Sequence, residues 1–192
     1  MARAESKMVM GYLPIEAHHH PAILSLVATA MPAVKLLDPF AGDGRFLDVA
    51  AKAWNVTPYA NELDGEWAAA CITRFGATQA VGCDVERLLA SNHAFGAAWL
   101  NPPYDHSKVE RGNKRIEFVY LRHSWKWLQD GGLALWCIYN QHITEEAAAF
   151  LAKNSSRVDV WALPGKHQGE YDQVVVAAFK GAHPNHAELY QD

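Results

Sequence analysis

Short apolar runs alternate with helical stretches along almost the whole chain, and that alternation limits the fold more than any other feature. Val34 to Asp38, Thr57 to Leu63, Ala80 to Val85, Ala97 to Leu100, Leu133 to Tyr139, Arg157 to Leu163 and Gln173 to Lys180 read as strands. Between them, helices are expected at Arg45–Trp54, Gly65–Phe75 and Thr144–Ala152, with a short one at Glu86–Ser91. A longer helix, Arg115–Gln129, carries Phe118, Leu121, Trp125 and Leu128 on one side, and Asp130-Gly131-Gly132 reads as its cap. Another helix is expected from Pro21 to Ala30, stopped by Pro32. Such alternation predicts one α/β domain with a seven-stranded, mostly parallel sheet and helices on both faces. Leu133 to Tyr139 is apolar throughout, as a central parallel strand must be. Residues 1–11 read as a loose arm and 181–192 as a polar tail. Sheets of this kind take ligands at the carboxyl ends of their strands.

The chemically suggestive residues fall at those ends. The strand that finishes at Leu100 runs into Asn101-Pro102-Pro103-Tyr104. Two consecutive prolines cannot continue a ladder or enter a helix interior, so the chain turns there. An amide and a backbone carbonyl side by side accept two hydrogen bonds from one planar amino group. A tyrosine ring can lie flat on the ring system that carries the amine. The arrangement suits methylation of a conjugated amine, with adenine the fitting acceptor.

The first strand closes in Asp38-Pro39-Phe40-Ala41-Gly42-Asp43-Gly44. Its glycines let the backbone approach a ligand, but Leu47 stands where a dinucleotide fingerprint needs a third glycine. Glu62 and Asp84 end the second and third strands, placed to take ribose hydroxyls and an adenine amino group. Acid at three adjacent strand ends disfavours a pyrophosphate ligand. It suits S-adenosylmethionine, with its sulfonium, ammonium and adenosine.

In their order and spacing, Asp38 to Gly44, Glu62, Asp84 and Asn101 to Tyr104 resemble the Rossmann-like class I methyltransferase fold. More narrowly they resemble the adenine-specific DNA methyltransferases with an Asn-Pro-Pro-Tyr motif, over about Gly11 to Lys180. The same motif marks enzymes that methylate glutamine side chains or RNA amino groups. The resemblance implies that Asp38, Gly42 and Gly44 line the methionine part of the cofactor, Glu62 holds the ribose and Asp84 the adenine amine. Phe40, Leu63 and Asn101 join this cofactor set, Phe40 as pocket wall. Asn101 and Pro102 would hold the target amine, with Pro103 and Tyr104 completing the catalytic motif and Tyr104 stacking on the base. Two departures stand out. Ile15 follows Pro14 where related enzymes often carry threonine near the cofactor carboxylate. The 12 residues after Lys180 cannot form a target-recognition domain, and no insertion is large enough for one.

Lys108, Arg111, Lys114 and Arg115 follow the motif and can meet phosphates, a patch that Arg122 and Lys126 extend. The same resemblance implies an aromatic that packs on the flipped base from the loop before the last strand, where Tyr171 is the candidate. Trp125 is expected in the core and Trp127 on the helix surface. A net charge of −4 makes the protein as a whole no trap for nucleic acid, so DNA binding needs this local patch or a partner protein that supplies recognition. His18-His19-His20 are adjacent and cannot point at one ion, so surface positions or a contact to the first helix are expected, and no metal site. The three cysteines, Cys71, Cys83 and Cys137, form no CxxC pair and read as reduced thiols of a cytoplasmic protein. No apolar run is long enough to span a bilayer. Other readings are an RNA or protein-glutamine methyltransferase, a cofactor-binding subunit without chemistry, and a nicotinamide-dependent oxidoreductase. The intact Asn-Pro-Pro-Tyr opposes the subunit without chemistry, and the double proline and missing third glycine oppose the oxidoreductase.

Overall fold

A computed structural model describes residues 15–28, 33–104, 115–163 and 173–182. Its seven strands are β1 (Lys35–Asp38), β2 (Thr57–Glu62), β3 (Ala80–Gly82), β4 (Phe95–Leu100), β5 (Leu128–Tyr139), β6 (Ser155–Ala162) and β7 (Gln173–Lys180). The helices are α1 (His20–Leu24), α2 (Arg45–Trp54), α3 (Gly65–Phe75), α4 (Ile116–Trp125) and α5 (Glu145–Asn154). The strands form one sheet in the order β3-β2-β1-β4-β5-β7-β6. Pairing is parallel from β3 across to β5, and β7 runs antiparallel between β5 and β6. The chain builds outward from β1 to β3, then returns to start β4 on the other side of β1. The reversal of direction between β1 and β4 opens a crevice at their carboxyl ends.

Successive residues of the central strands feed opposite cores, which is why they read as unbroken apolar runs. Trp136 and Ile138 join Phe118, Leu121 and Leu151 of α4 and α5 on one face, while Leu135 and Cys137 join Ile23, Leu47 and Trp54 of α1 and α2 on the other. Ile15, the residue after Pro14, is buried in this second core. Helix ends follow side-chain chemistry. Asp64 accepts from the amides of Glu66 and Trp67 to start α3, and Gly76 ends it at φ 83°. Thr144 caps α5 through the amide of Ala147.

Several boundaries differ from expectation. α4 stops at Trp125 rather than Gln129, and Asp130-Gly131-Gly132 is no helix cap but an irregular segment within β5. Trp127, expected on a helix surface, is 1% exposed, and its carbonyl accepts from the amide of Phe95 in β4. Burial of Trp127 and Leu128 against the sheet outweighs the helical preference of this stretch. Gly131 turns at φ 77°, and the pairing steps from Phe95–Leu128 to Ala97–Leu133 across the irregularity. β5 is parallel to β4 only; its other neighbour is antiparallel. β3 ends at Gly82 because Cys83 turns to bond Asn61, and the expected helix after it is a 3-10 turn, Val85–Arg87. α1 is a single short stretch ending at Leu24. His19 of the histidine run is buried, and His20 packs edge-on against Phe46. No group of metal ligands, and no helix long and apolar enough to cross a membrane, occurs among the described residues.

Candidate active site

The loop after β1 is held in shape by Glu62. The Gly42 amide donates to Glu62 Oε2 at 2.7 Å, and the Leu63 and Asp64 amides donate to Oε1 at 2.7 and 3.0 Å. A carboxylate offers about four acceptor sites, and these three bonds leave about one, on Oε2, among the described residues. Glu62 is therefore first a brace between the β1 loop and the β2 end. A two-hydroxyl grip on a ribose, expected from its place in the sequence, does not fit this bonding; a single hydroxyl does. Gly42 and Gly44 take left-handed conformations at φ 55° and 75°. A Cβ on Gly44 would lie 2.7 Å from Cε2 of Phe75, so glycine there serves both the turn and the packing of α3.

Asn61 is a second brace that the sequence reading passed over. It is 1% exposed, and its Nδ2 donates to the carbonyls of Pro39 at 3.2 Å and Cys83 at 3.0 Å. Its Oδ1 accepts from the Cys83 amide at 3.2 Å. One amide thus ties the ends of β1, β2 and β3 together and fixes the floor of the crevice.

The crevice itself is an open cleft with about 580 Å³ of empty space, part of it open to solvent. Phe40, Leu63, Trp67, Val85 and Tyr120 supply apolar walls, and Glu62 and Asp84 supply acceptors. Phe40 and Tyr120 meet at 5.0 Å between ring centroids, which joins the β1 loop to α4. Asp84 Oδ1 accepts from the Glu86 amide and so starts the 3-10 turn while the residue lines the cleft. Pro103 closes one side. Of the residues expected from sequence, Phe40, Glu62, Leu63, Asp84 and Pro103 are brought together here. Trp67 and Tyr120 were missed. The signal for Trp67 was its place in the first turn of a helix capped by Asp64, immediately past the β2 acid.

Asp38 sits beneath the glycine loop, 3% exposed. Its Oδ1 accepts from the Phe40 amide at 3.0 Å. Burial pushes its carboxyl up to about 8; the Phe40 hydrogen bond opposes the rise and the neighbouring Glu62 adds to it. Burial, with the charges of Asp38, Glu62 and Asp43, also pushes the Cys71 thiol up to about 12. This end of the sheet is poised for positive charge.

Asn101 and Pro102 leave β4 buried at the carboxyl rim, with Asn101 3% exposed. Tyr104 differs from expectation. Its ring, predicted to lie open for stacking, is 2% exposed and packs 4.5 Å from the ring of Tyr139. Its hydroxyl faces Asn101 Oδ1 at 3.2 Å and the Cys137 carbonyl at 3.3 Å, and it accepts from Gln173 Nε2 at 3.0 Å. Burying the ring against Tyr139 while satisfying the hydroxyl three ways outweighs exposing it. Arg115 also differs. Its guanidinium contacts Glu117 at 2.9 Å and His142 Nδ1 at 2.8 Å, and His142 lies 3.0 Å from the same carboxylate. Glu117 is 1% exposed, so Arg115 compensates a buried charge rather than standing ready for phosphate. Lys108, Arg111, Lys114 and Tyr171 lie outside the described residues.

A family model described as "Uncharacterised methyltransferase family (DUF6094)" matches residues 1–188. No curated protein sequence matches the chain. Among solved structures, it is similar to a tRNA methyltransferase from M. jannaschii, with TM-score 0.59 and 13% identity over 85% of this chain and 49% of the other. A putative class I S-adenosylmethionine-dependent methyltransferase from Listeria monocytogenes gives TM-score 0.67 and 14% identity, over 88% of this chain and 63% of the other. A Burkholderia thailandensis 1,6-didemethyltoxoflavin-N1-methyltransferase, solved with S-adenosylhomocysteine, gives TM-score 0.60 and 18% identity, over 86% and 78%. The chain spans about half and about two thirds of the first two. These likenesses show the class I methyltransferase fold.

Proposed function

The chain belongs to this methyltransferase family, and we propose, from its Asn101-Pro102-Pro103-Tyr104 motif, that it transfers a methyl group from S-adenosylmethionine to the exocyclic amine of adenine in DNA. The observation that carries the reading is a juxtaposition. Asn101-Pro102-Pro103-Tyr104 leaves β4 so that Pro103 walls the same cleft that Glu62 and Asp84 line. The cleft and the amine-acceptor motif therefore adjoin at the switch between β1 and β4, with Pro103 the motif residue that lines the cleft and Asn101, Pro102 and Tyr104 buried behind it.

The residues present fit this cofactor. Trp67, Leu63 and Val85 offer an apolar slot for a flat heterocycle, and Asp84 an acceptor for its amino group. Glu62 has room for one ribose hydroxyl. Asp38 and the glycine loop lie where a methionine moiety, with its ammonium group, finds compensating charge. When bound, S-adenosylmethionine supplies an electrophilic methyl group on a sulfonium. The Asn101 amide oxygen and the Pro102 carbonyl accept from the two N–H groups of the target amine. That draws its lone pair out of conjugation and orients it, so positioning and fixed dipoles provide the rate. No strong base is required, because the amine proton leaves after transfer. In duplex DNA the base must be extruded at a cost of roughly a few kcal/mol. Recognition is supplied by a partner protein or the segment after Tyr104, and the site of action is the cytoplasm.

The test offers labelled S-adenosylmethionine with duplex DNA, single-stranded DNA, RNA and protein lysate in parallel. Label is expected in DNA adenine. Asn101→Ala should abolish transfer while calorimetry finds cofactor binding intact. Label in RNA or protein alone would move the assignment to that substrate, and loss of cofactor binding in Asn101→Ala would refute the role of Asn101.

A further inference from the structure

Gln173 opens β7, 69 positions along the chain from Tyr104, yet its Nε2 donates to the Tyr104 hydroxyl at 3.0 Å. It reaches that point because β7 pairs with β5 in a register that sets Gln173 opposite Tyr139, the residue on which the Tyr104 ring packs. The donation occupies the phenolic oxygen as acceptor and leaves the hydroxyl proton to be given away. Two acceptors face it, Asn101 Oδ1 at 3.2 Å and the Cys137 carbonyl at 3.3 Å. Gln173, Tyr104 and Asn101 are 8%, 2% and 3% exposed, so water does not readily substitute for any member. Turning the Asn101 amide over would set its NH2 group where the hydroxyl now donates and leave the proton only the longer Cys137 contact, so the hydroxyl favours the orientation with Oδ1 toward Tyr104.

We propose that Gln173 and Tyr104 are positioning residues, a hydroxyl relay that fixes the orientation of the Asn101 amide, so that Tyr104 serves through its hydroxyl and not its ring face. This rests on the reading of Asn101 as the residue that grips the acceptor amine. Burial also holds the Tyr104 hydroxyl well above the usual phenol range, so it remains a donor at every pH at which the protein is assayed.

Tyr104→Phe keeps the ring and its packing and removes only the hydroxyl. Gln173→Met keeps length and removes the donor. Two readouts are needed: hydrogen exchange of the Asn101 side-chain amide by NMR, and steady-state methyl transfer to a single-stranded adenine-rich oligonucleotide. Both variants should speed Asn101 exchange, and Tyr104→Phe should lower kcat about 10- to 100-fold with KM for S-adenosylmethionine unchanged. Tyr104→Trp, which offers a larger stacking face without the hydroxyl, should not restore kcat. Wild-type kcat in Tyr104→Phe, restoration by Tyr104→Trp, or Asn101 exchange unaffected in both variants would overturn the relay. If the wild-type chain transfers nothing to the oligonucleotide, the adenine assignment falls and Asn101 exchange alone decides: faster exchange in the variants supports the relay, unchanged exchange overturns it.

Discussion

Asp38→Asn isolates the electrostatics of the site. In the unfolded chain an aspartate titrates near 3.9, whereas burial in the folded chain carries Asp38 to about 8. Between about pH 4 and 8 the folded protein therefore holds a proton that the unfolded chain has released. The stabilisation linked to that proton is full below about pH 4 and is lost as pH rises through about 8. Each pH unit is worth at most about 1.4 kcal/mol, so the whole window amounts to on the order of 5 kcal/mol. Asparagine keeps the shape of the side chain and cannot titrate. Urea unfolding of both proteins at fixed pH values from 5 to 9 removes the contribution of every other group by difference. The wild-type chain should lose stability relative to Asp38→Asn by up to about 1.4 kcal/mol per pH unit, levelling off above pH 8. Saturating S-adenosylmethionine should flatten this slope, because a nearby cation favours the ionised carboxylate. A stability difference constant across pH 5 to 8 would refute the buried, protonated Asp38.

Two further substitutions test the framework. Gly44→Ala meets both strain at φ 75° and a 2.7 Å contact with Phe75, whereas Gly76→Ala, at φ 83°, meets open space. Gly76, at ψ 157°, lies in a region open almost to glycine alone, so urea midpoints should show each substitution costing about 1–3 kcal/mol in backbone strain, with Gly44→Ala costing about 1–3 kcal/mol more for the Phe75 overlap; a Gly44→Ala cost no greater than that of Gly76→Ala would mean that the Phe75 contact relaxes freely. Arg115→Ala leaves the buried Glu117 carboxylate with His142 as its remaining described partner, and should lower unfolding free energy by on the order of 2–3 kcal/mol. Unchanged stability would show that the ion pair is dispensable.

What the sequence revealed and what it hid follow from the range of the interactions. The bounds of α3 were legible because Asp64 and Gly76 carry capping chemistry within the segment itself. α2 was equally plain, between Gly44 and an Asn55 that ends it in the left-handed conformation. The start of β5 was not, since Asp130-Gly131-Gly132 is a good helix stop by local rules and only the sheet decides that Trp127 and Leu128 are buried. The direction of β7 was hidden as well: a strand buried on both faces has the same apolar pattern either way. At the site, the acids and glycines at strand ends followed from topology. The Gly42 amide on Glu62 did not, nor did Gln173 against Tyr104, because those partners come from distant loops and strand ends. Arg115 misled for the opposite reason. Its partner Glu117 lies only two positions on, but only the fold buries that carboxylate.

The central claim is that a methyl group reaches the amine of adenine at Asn101. Its most direct measurement is mass spectrometry of nucleosides digested from DNA after incubation with the protein and deuterium-labelled S-adenosylmethionine. The account predicts N6-methyladenine carrying the label from the wild-type chain and none from Asn101→Ala. Labelled N6-methyladenine undiminished in Asn101→Ala, or label confined to another base, would contradict it.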